Sequence, residues 1–179
     1  TPILPGVAFA ELCLRAGAEV DAEQLGELVL EAPLVLPEQG AVQLQVSLAP
    51  REGEEETYEV EIHSRPEGGG EADEEQPPFT RHASATLTTQ APPPVDFDTG
   101  TWPPPGAEPL PTDAFYDAVA EIGLDYGPAF QGLAAAWREG ERIYAQATLP
   151  EEHSQAAERY ALHPALLDAA LHAIALAGE

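Results

Sequence analysis

The sequence predicts an α+β fold of two successive units, each pairing a very apolar helix with antiparallel strands. Three observations lead there. Four segments of the first half alternate apolar and polar residues with period two, as strands with one dry face do. Two short helical segments, one after Pro5 and one after Pro164, are too apolar to lie on an open surface and suit helices wrapped by sheet. Between the halves runs a proline-rich stretch, from Gln90 to Pro111.

The elements follow in order. Pro5–Gly6 and Gly17 frame the first helix, whose apolar residues are Val7, Phe9, Ala10, Leu12, Cys13 and Leu14. Leu28 to Leu36 and Ala41 to Leu48 read as strands separated by the turn signal Pro37–Glu38–Gln39–Gly40. Tyr58, Val60 and Ile62 mark a third strand, and Ala83, Ala85 and Leu87 a fourth, completing an antiparallel meander around the helix. The polyproline runs near Pro93 and Pro104 are read as a linker that stays out of any ladder. Asp113 to Ile122 is expected as a helix with Phe115, Ala118, Val119 and Ile122 on one face. Strands Leu133–Arg138 and Arg142–Leu149 and a helix from Pro164 to Leu176 complete the second unit. The expected division is 1–90, a linker at 91–112, and 113–179. A helix as apolar as the last one, with two strands to cover it, leaves the second unit short of strands.

Bulk properties exclude several functions. Seven Lys+Arg against 32 Asp+Glu give a net charge of −25, a field that repels phosphate backbones and argues against nucleic-acid binding. The acidic runs Glu52–Glu56 and Glu67–Glu75 read as solvated loops. Apolar stretches are too short to span a bilayer and no signal-peptide pattern opens the chain, so a soluble cytoplasmic protein is expected. Cys13, the single cysteine, rules out an internal disulfide and a multi-cysteine metal site, and its apolar neighbours suit a buried inert thiol.

Three clusters carry chemistry. In His163–Pro164–Ala165–Leu166–Leu167–Asp168, followed by His172, the Asp and the second His stand four apart and share a helix face. Among alanines and leucines that carboxyl would be desolvated and its pKa raised, as a general acid requires. An exposed polar pair at the same spacing is the alternative, and periodicity alone leaves both open. Gly123–Leu124–Asp125–Tyr126–Gly127–Pro128–Ala129–Phe130 forms a turn that fixes two aromatic side chains. Leu4–Pro5–Gly6 opens a helix whose free amides could hold a carbonyl oxygen gaining charge.

Together these residues resemble the dehydratase domains of modular type I polyketide synthases. Pro5 with Gly6 resembles the end of the family's His-x-x-x-Gly-x-x-x-x-Pro signature. Gly123 to Phe130 resembles Gly-Tyr-x-Tyr-Gly-Pro-x-Phe, with Leu124 in place of the first Tyr, and His163 to His172 matches His-Pro-Ala-Leu-Leu-Asp followed by His or Gln. The stretches from Leu30 to Pro37, from Thr80 to Ala83 and from Trp102 to Pro104 are similar too. The resemblance implies a double hotdog, two helix-in-sheet units with one active site at their junction, the second unit incomplete in this chain. It implies removal of water from a 3-hydroxyacyl thioester on an acyl carrier protein, giving a 2,3-enoyl thioester. Asp168 would be the acid, His172 would orient it, and Tyr126 would hold the hydroxyl. Pro5, Gly6, Val7, Gly127, Pro128, Phe130 and Leu167 would line the substrate. The family's catalytic His would lie upstream of Thr1, and neither His63, His82 nor His153 is expected to replace it. A double-hotdog enoyl isomerase or an inert structural domain are the alternatives. No metal or freely bound cofactor is implied, the phosphopantetheine arm belonging to the carrier. Further implied partners are the other synthase domains and a second copy of the synthase. Arg15, Arg138, Arg142 and Arg159 are candidates for carrier docking.

Overall fold

The computed structural model describes residues 2–67, 77–92, 94 and 100–177, which fall into two compact units, Thr1–Pro93 and Pro94–Glu179. Beyond Glu67, the second acidic run lies outside the described residues, as does part of the proline-rich stretch.

In the first unit, helix α1 (Gly6–Ala18) packs on a four-stranded antiparallel sheet of order β1-β4-β3-β2. The strands are β1 (Gln24–Leu30), β2 (Val42–Pro50), β3 (Thr57–Pro66) and β4 (Thr80–Thr88). Their register explains the core. Leu28, Ala85, Val60 and Leu48 stand abreast across all four strands, and Leu30, Ala83, Ile62 and Val46 form the next row. Phe9 and Cys13 of α1 descend onto Val60, Ile62 and Leu87. Burial raises the Cys13 thiol pKa to about 11, so it is inert at neutral pH. Gly17 permits close approach at the end of the helix: a Cβ there would lie 2.1 Å from the Ala22 carbonyl oxygen.

Two expectations for this unit are corrected. The sheet is not a simple meander, because β1 pairs with β4 and β2 with β3. The segment read as the second half of the first strand, through Leu36, leaves the sheet. Pro33 has no N–H for a ladder, and Leu4 N–H and Leu36 N–H instead bond Leu34 O and Pro2 O, each at 2.9 Å. That segment thereby runs alongside the residues leading into α1, with an isolated bridge between Ile3 and Val35.

In the second unit, β5 (Glu108–Leu110), β6 (Leu133–Glu139) and β7 (Arg142–Ala147) form an antiparallel sheet in that order. Strand β5 corrects the linker reading. Pro109 is tolerated because β5 is an edge strand, and Trp102 packs edge-on against Trp137 and Tyr144, tying the proline-rich chain to the sheet. Helix α2 (Phe115–Glu121) ends in a Schellman arrangement: Gly123, at φ +95°, bonds Ala120 O, and Leu124 N–H bonds Val119 O. The helix therefore turns Phe115 and Tyr116 inward and leaves Ile122 76% exposed, against the expected apolar face through Ala118 and Ile122. A 3-10 turn, Pro128–Phe130, follows. His153, expected in a loop, belongs to a short helix α3 (Glu151–Ala157), and the last helix is α4 (Pro164–Leu171) continued after His172 by α5 (Ala173–Leu176). No described helix is long and apolar enough to cross a membrane.

Candidate active site

Helix α4 begins at His163, whose Nδ1 accepts the Ala165 N–H at 3.2 Å, with Pro164 in the first helical position. The His-Pro pair of the third cluster is thus a helix start. Ala165 and Ala169 are fully buried, so the backbone of α4 lies close to its supports. It packs on the Pro128–Phe130 turn and on β7, and Ala169 faces Gly132, where a Cβ would come within 3.0 Å of the alanine methyl.

This close seating buries the polar face of the helix. The Asp168 and His172 side chains are 18% and 7% exposed, with Oδ2 and Nε2 3.2 Å apart. Both atoms are buried and neither makes a well-aligned hydrogen bond, so their 3.2 Å approach is a close polar contact and not an aligned bond. Burial pushes the Asp168 carboxyl above the usual carboxylate range, and the nearby His172 pulls it only partly back. Burial likewise pushes His172 below its ordinary value, against the opposing attraction of Asp168. Of the two readings left open by periodicity, the structure selects the desolvated pair.

Aromatic rings enclose His172. Tyr126 lies 4.6 Å from it between ring centroids, Phe115 at 5.4 Å and Tyr116 at 5.6 Å. The Gln131 side-chain amide donates to Tyr126 O at 2.8 Å, which steadies the turn carrying that tyrosine. Burial raises the Tyr126 phenol, and the charge of Asp168 adds to the shift. Gly127 and Pro128 open the 3-10 turn beneath, while Phe130 and Leu167 are half-buried. Tyr116 was missed by sequence reading. Its hydroxyl accepts the Leu133 N–H at 2.9 Å and lies 3.2 Å from His172 Nδ1. The available signal was a tyrosine beside an inward-facing Phe115, since a buried phenol needs a polar partner.

The remaining candidates lie in the first unit. Pro5 precedes α1, Gly6 is its first residue with Leu30 packed against it, and Val7 is buried. Beside them an open groove of about 310 Å³ is lined by Ile3, Leu4, Gly6, Phe9, Leu30 and Ala32 among others. His82 occupies a bulge of β4, where it bonds Ser64 Oγ at 2.7 Å and Ala32 O at 3.1 Å. That buried bracket holds the chain bordering the groove. His153 lies 3.5 Å from Glu152, and His63 is half-buried on β3. No cluster of metal-ligating side chains occurs among the described residues.

Two helix-on-antiparallel-sheet units, one holding a buried Asp–His pair beside aromatic rings, define the class as a hotdog-fold protein. Comparison with known proteins supplies the family. The polyketide synthase dehydratase domain model matches residues 1–65, and the polyketide synthase dehydratase N-terminal domain model matches residues 94–179. The chain belongs to the polyketide synthase dehydratase family. It is 51% identical over 179 residues to the spectinabilin polyketide synthase system protein NorA' of Streptomyces orinoci, covering 100% of this chain and 5% of that protein. It is 48% identical over 181 residues to the polyketide synthase GfsB of Streptomyces halstedii, covering 99% and 3%. A structure solved for dehydratase substrate selection in the borrelidin and fluvirucin polyketide synthases superposes at TM-score 0.87 with 44% identity. The match covers 99% of this chain and 60% of that one. The erythromycin dehydratase superposes at 0.81 with 35% identity, covering 97% and 60%. The chain thus spans about three fifths of these solved dehydratases.

Proposed function

We propose that these residues serve the elimination of water from a 3-hydroxyacyl thioester, carried on the phosphopantetheine arm of an acyl carrier protein, to give the 2,3-enoyl thioester. The observation that carries this reading is the buried Asp168 carboxyl, held above the usual carboxylate range beside His172 and Tyr126. Hydroxide is a poor leaving group, so breaking the C3–O bond calls for a proton donor. A base removes the C2 proton, the C–H electrons become the double bond, and Asp168 gives its proton to the departing hydroxyl, which leaves as water. Asp168 ends as a carboxylate and is reprotonated for the next turnover.

Tyr126 holds the hydroxyl, while Gly127, Pro128, Phe130 and Leu167 shape the approach to it. Pro5, Gly6 and Val7 supply the helix N-terminus that polarises the thioester carbonyl and acidifies C2. The base is assigned to a His outside this chain. Among its own histidines, His82 is committed to Ser64 and Ala32, and His163 caps α4. The reaction needs no metal or redox cofactor. Its setting is the cytoplasm, with the carrier protein, the other synthase domains and a second copy of the synthase as partners.

The test uses the complete dehydratase and a 3-hydroxyacyl carrier thioester, followed by product mass. Loss of water is expected, with turnover lowered about 10²–10⁴-fold in Asp168→Asn. Unchanged mass with a moved double bond would make it an isomerase, no conversion an inert domain, and near-normal turnover of Asp168→Asn would remove the acid from Asp168.

A further inference from the structure

Asp168 Oδ2 and His172 Nε2 stand 3.2 Å apart, short of an aligned hydrogen bond, and two bare acceptor atoms at that distance in a buried site would repel, which favours a proton on one of them. Either atom could own it. If the carboxyl owns it, the acid proton faces the histidine and away from any substrate. If the imidazole owns it, Oδ2 accepts and the acid proton is carried by Oδ1.

The opposite edge of the ring decides. The Tyr116 oxygen accepts the Leu133 N–H at 2.9 Å, and His172 Nδ1 is 3.2 Å away. Tyr116 has no other acceptor among its described hydrogen bonds, so its hydroxyl hydrogen is satisfied only by pointing at Nδ1. With Nδ1 accepting, a neutral ring carries its hydrogen on Nε2. The ionisable groups around the ring are Tyr116 of α2, Tyr126 of the following turn and Asp168 of α4. Burial keeps both tyrosines protonated and His172 neutral near neutral pH, consistent with this arrangement.

The geometry points to Tyr116 as a positioning residue: the chain Leu133 N–H, Tyr116 O–H, His172 Nδ1 fixes the Nε2–H form of His172 and thereby places the acid proton of Asp168 on Oδ1. This rests on the reading of Asp168 as the acid. In this role Tyr116 acts through His172, so its effect is expected on kcat and not on binding.

The test reads the ring proton directly. Histidine labelled at its ring nitrogens is introduced into the chain, and the His172 signals are identified by their loss in His172→Gln. The measurement is made in wild type, in Asp168→Asn, which stands in for the neutral acid without an anion's bias, and in Asp168→Asn with Tyr116→Phe. The expected result is hydrogen on Nε2 in the first two and a substantial Nδ1–H population in the third. Hydrogen on Nδ1 in Asp168→Asn overturns the inference, and so does a pure Nε2–H ring in the double variant. Should the double variant not fold, the first outcome alone still decides. In the complete dehydratase, Tyr116→Phe is expected to lower kcat about tenfold or more with KM unchanged, by analogy with the loss of a hydrogen-bond partner that orients a metal-binding histidine. An inactive Asp168→Asn together with an unshifted ring proton refutes Tyr116's role and spares the dehydratase reading. A fully active Asp168→Asn refutes that reading, while the ring-proton measurement still decides the tautomer.

Discussion

Gly132→Ala should damage the site without removing any polar group from it. Gly132 immediately precedes β6, and its carbonyl accepts the Thr148 N–H at 2.8 Å. A Cβ at this position would stand 2.5 Å from Thr148 O and 3.0 Å from the Ala169 methyl. Carbon atoms settle at about 3.5–4.0 Å, so α4 or the end of β7 must retreat by about 0.5–1 Å. Neither has an easy route: Thr148 is bonded back to Gly132, and Ala169 is fully buried one residue beyond Asp168. Overpacking of this kind costs about 1–3 kcal/mol. A misplacement of about 1 Å can lower a rate about 10²-fold with every catalytic group intact. Urea unfolding of the chain gives the first quantity, and turnover of carrier-bound substrate by the complete dehydratase gives the second. Stability within about 0.5 kcal/mol of wild type, the range of an ordinary surface change, would refute the close-seating argument.

Gly127→Ala is the contrasting case, because its φ of −66° suits any residue and nothing lies within 4 Å of the added methyl. Its stability should stay within about 0.5 kcal/mol of wild type, while turnover falls if the substrate passes there; full activity would end that role. Asp168→Asn should be at least as stable as wild type at neutral pH. A folded-state pKa raised above the unfolded value means the native Asp loses stability as pH rises beyond the ordinary carboxylate range, a loss the Asn variant escapes. An Asn variant that melts lower at neutral pH contradicts this sign. The His172 shift is opposite, so its contribution is full above the ordinary 6.5 and is lost as pH falls toward the folded value. His172→Gln should flatten that part of the acid limb in a melting-temperature series, and an unaltered limb would assign it elsewhere. Among the docking candidates, Arg15 is engaged by Glu11 and Arg138 by Leu176 O. Arg142→Glu and Arg159→Glu should therefore impair carrier-bound turnover while leaving small free thioesters unaffected, and equal loss on both substrates would argue against docking.

Sequence periodicity was a reliable guide where burial on one face dominates. Val60, Ile62, Ala83, Ala85 and Leu87 line the core as their alternation requires. The Asp168–His172 spacing likewise specifies a shared helix face, because a helical turn places residues four apart together whatever surrounds them. Strand pairing was not legible in the same way. Leu25 to Leu30 could face either neighbour, and only the departure of the Pro33 segment toward Pro2 and Leu4 leaves β1 to pair with β4. Strand β5, with Pro109 at its centre, fell inside the stretch read as linker, because local rules for proline-rich chain do not know whether a strand lies at an edge. Tyr116 went unnoticed for a related reason: its partners, Leu133 and His172, are distant in sequence and meet it only through packing.

By itself, then, the sequence determined which strand residues share a face, that helices begin after Pro5 and at Pro164, and which residues could donate a proton. The tertiary structure decided whether the carboxyl at 168 is dry. Desolvation depends on what every neighbouring element places around a group, and no spacing rule within one helix carries that information. Two buried alanines and Gly132 bring α4 against its supports, and that approach turns an ordinary i,i+4 pair into one whose two pKa values shift in opposite directions.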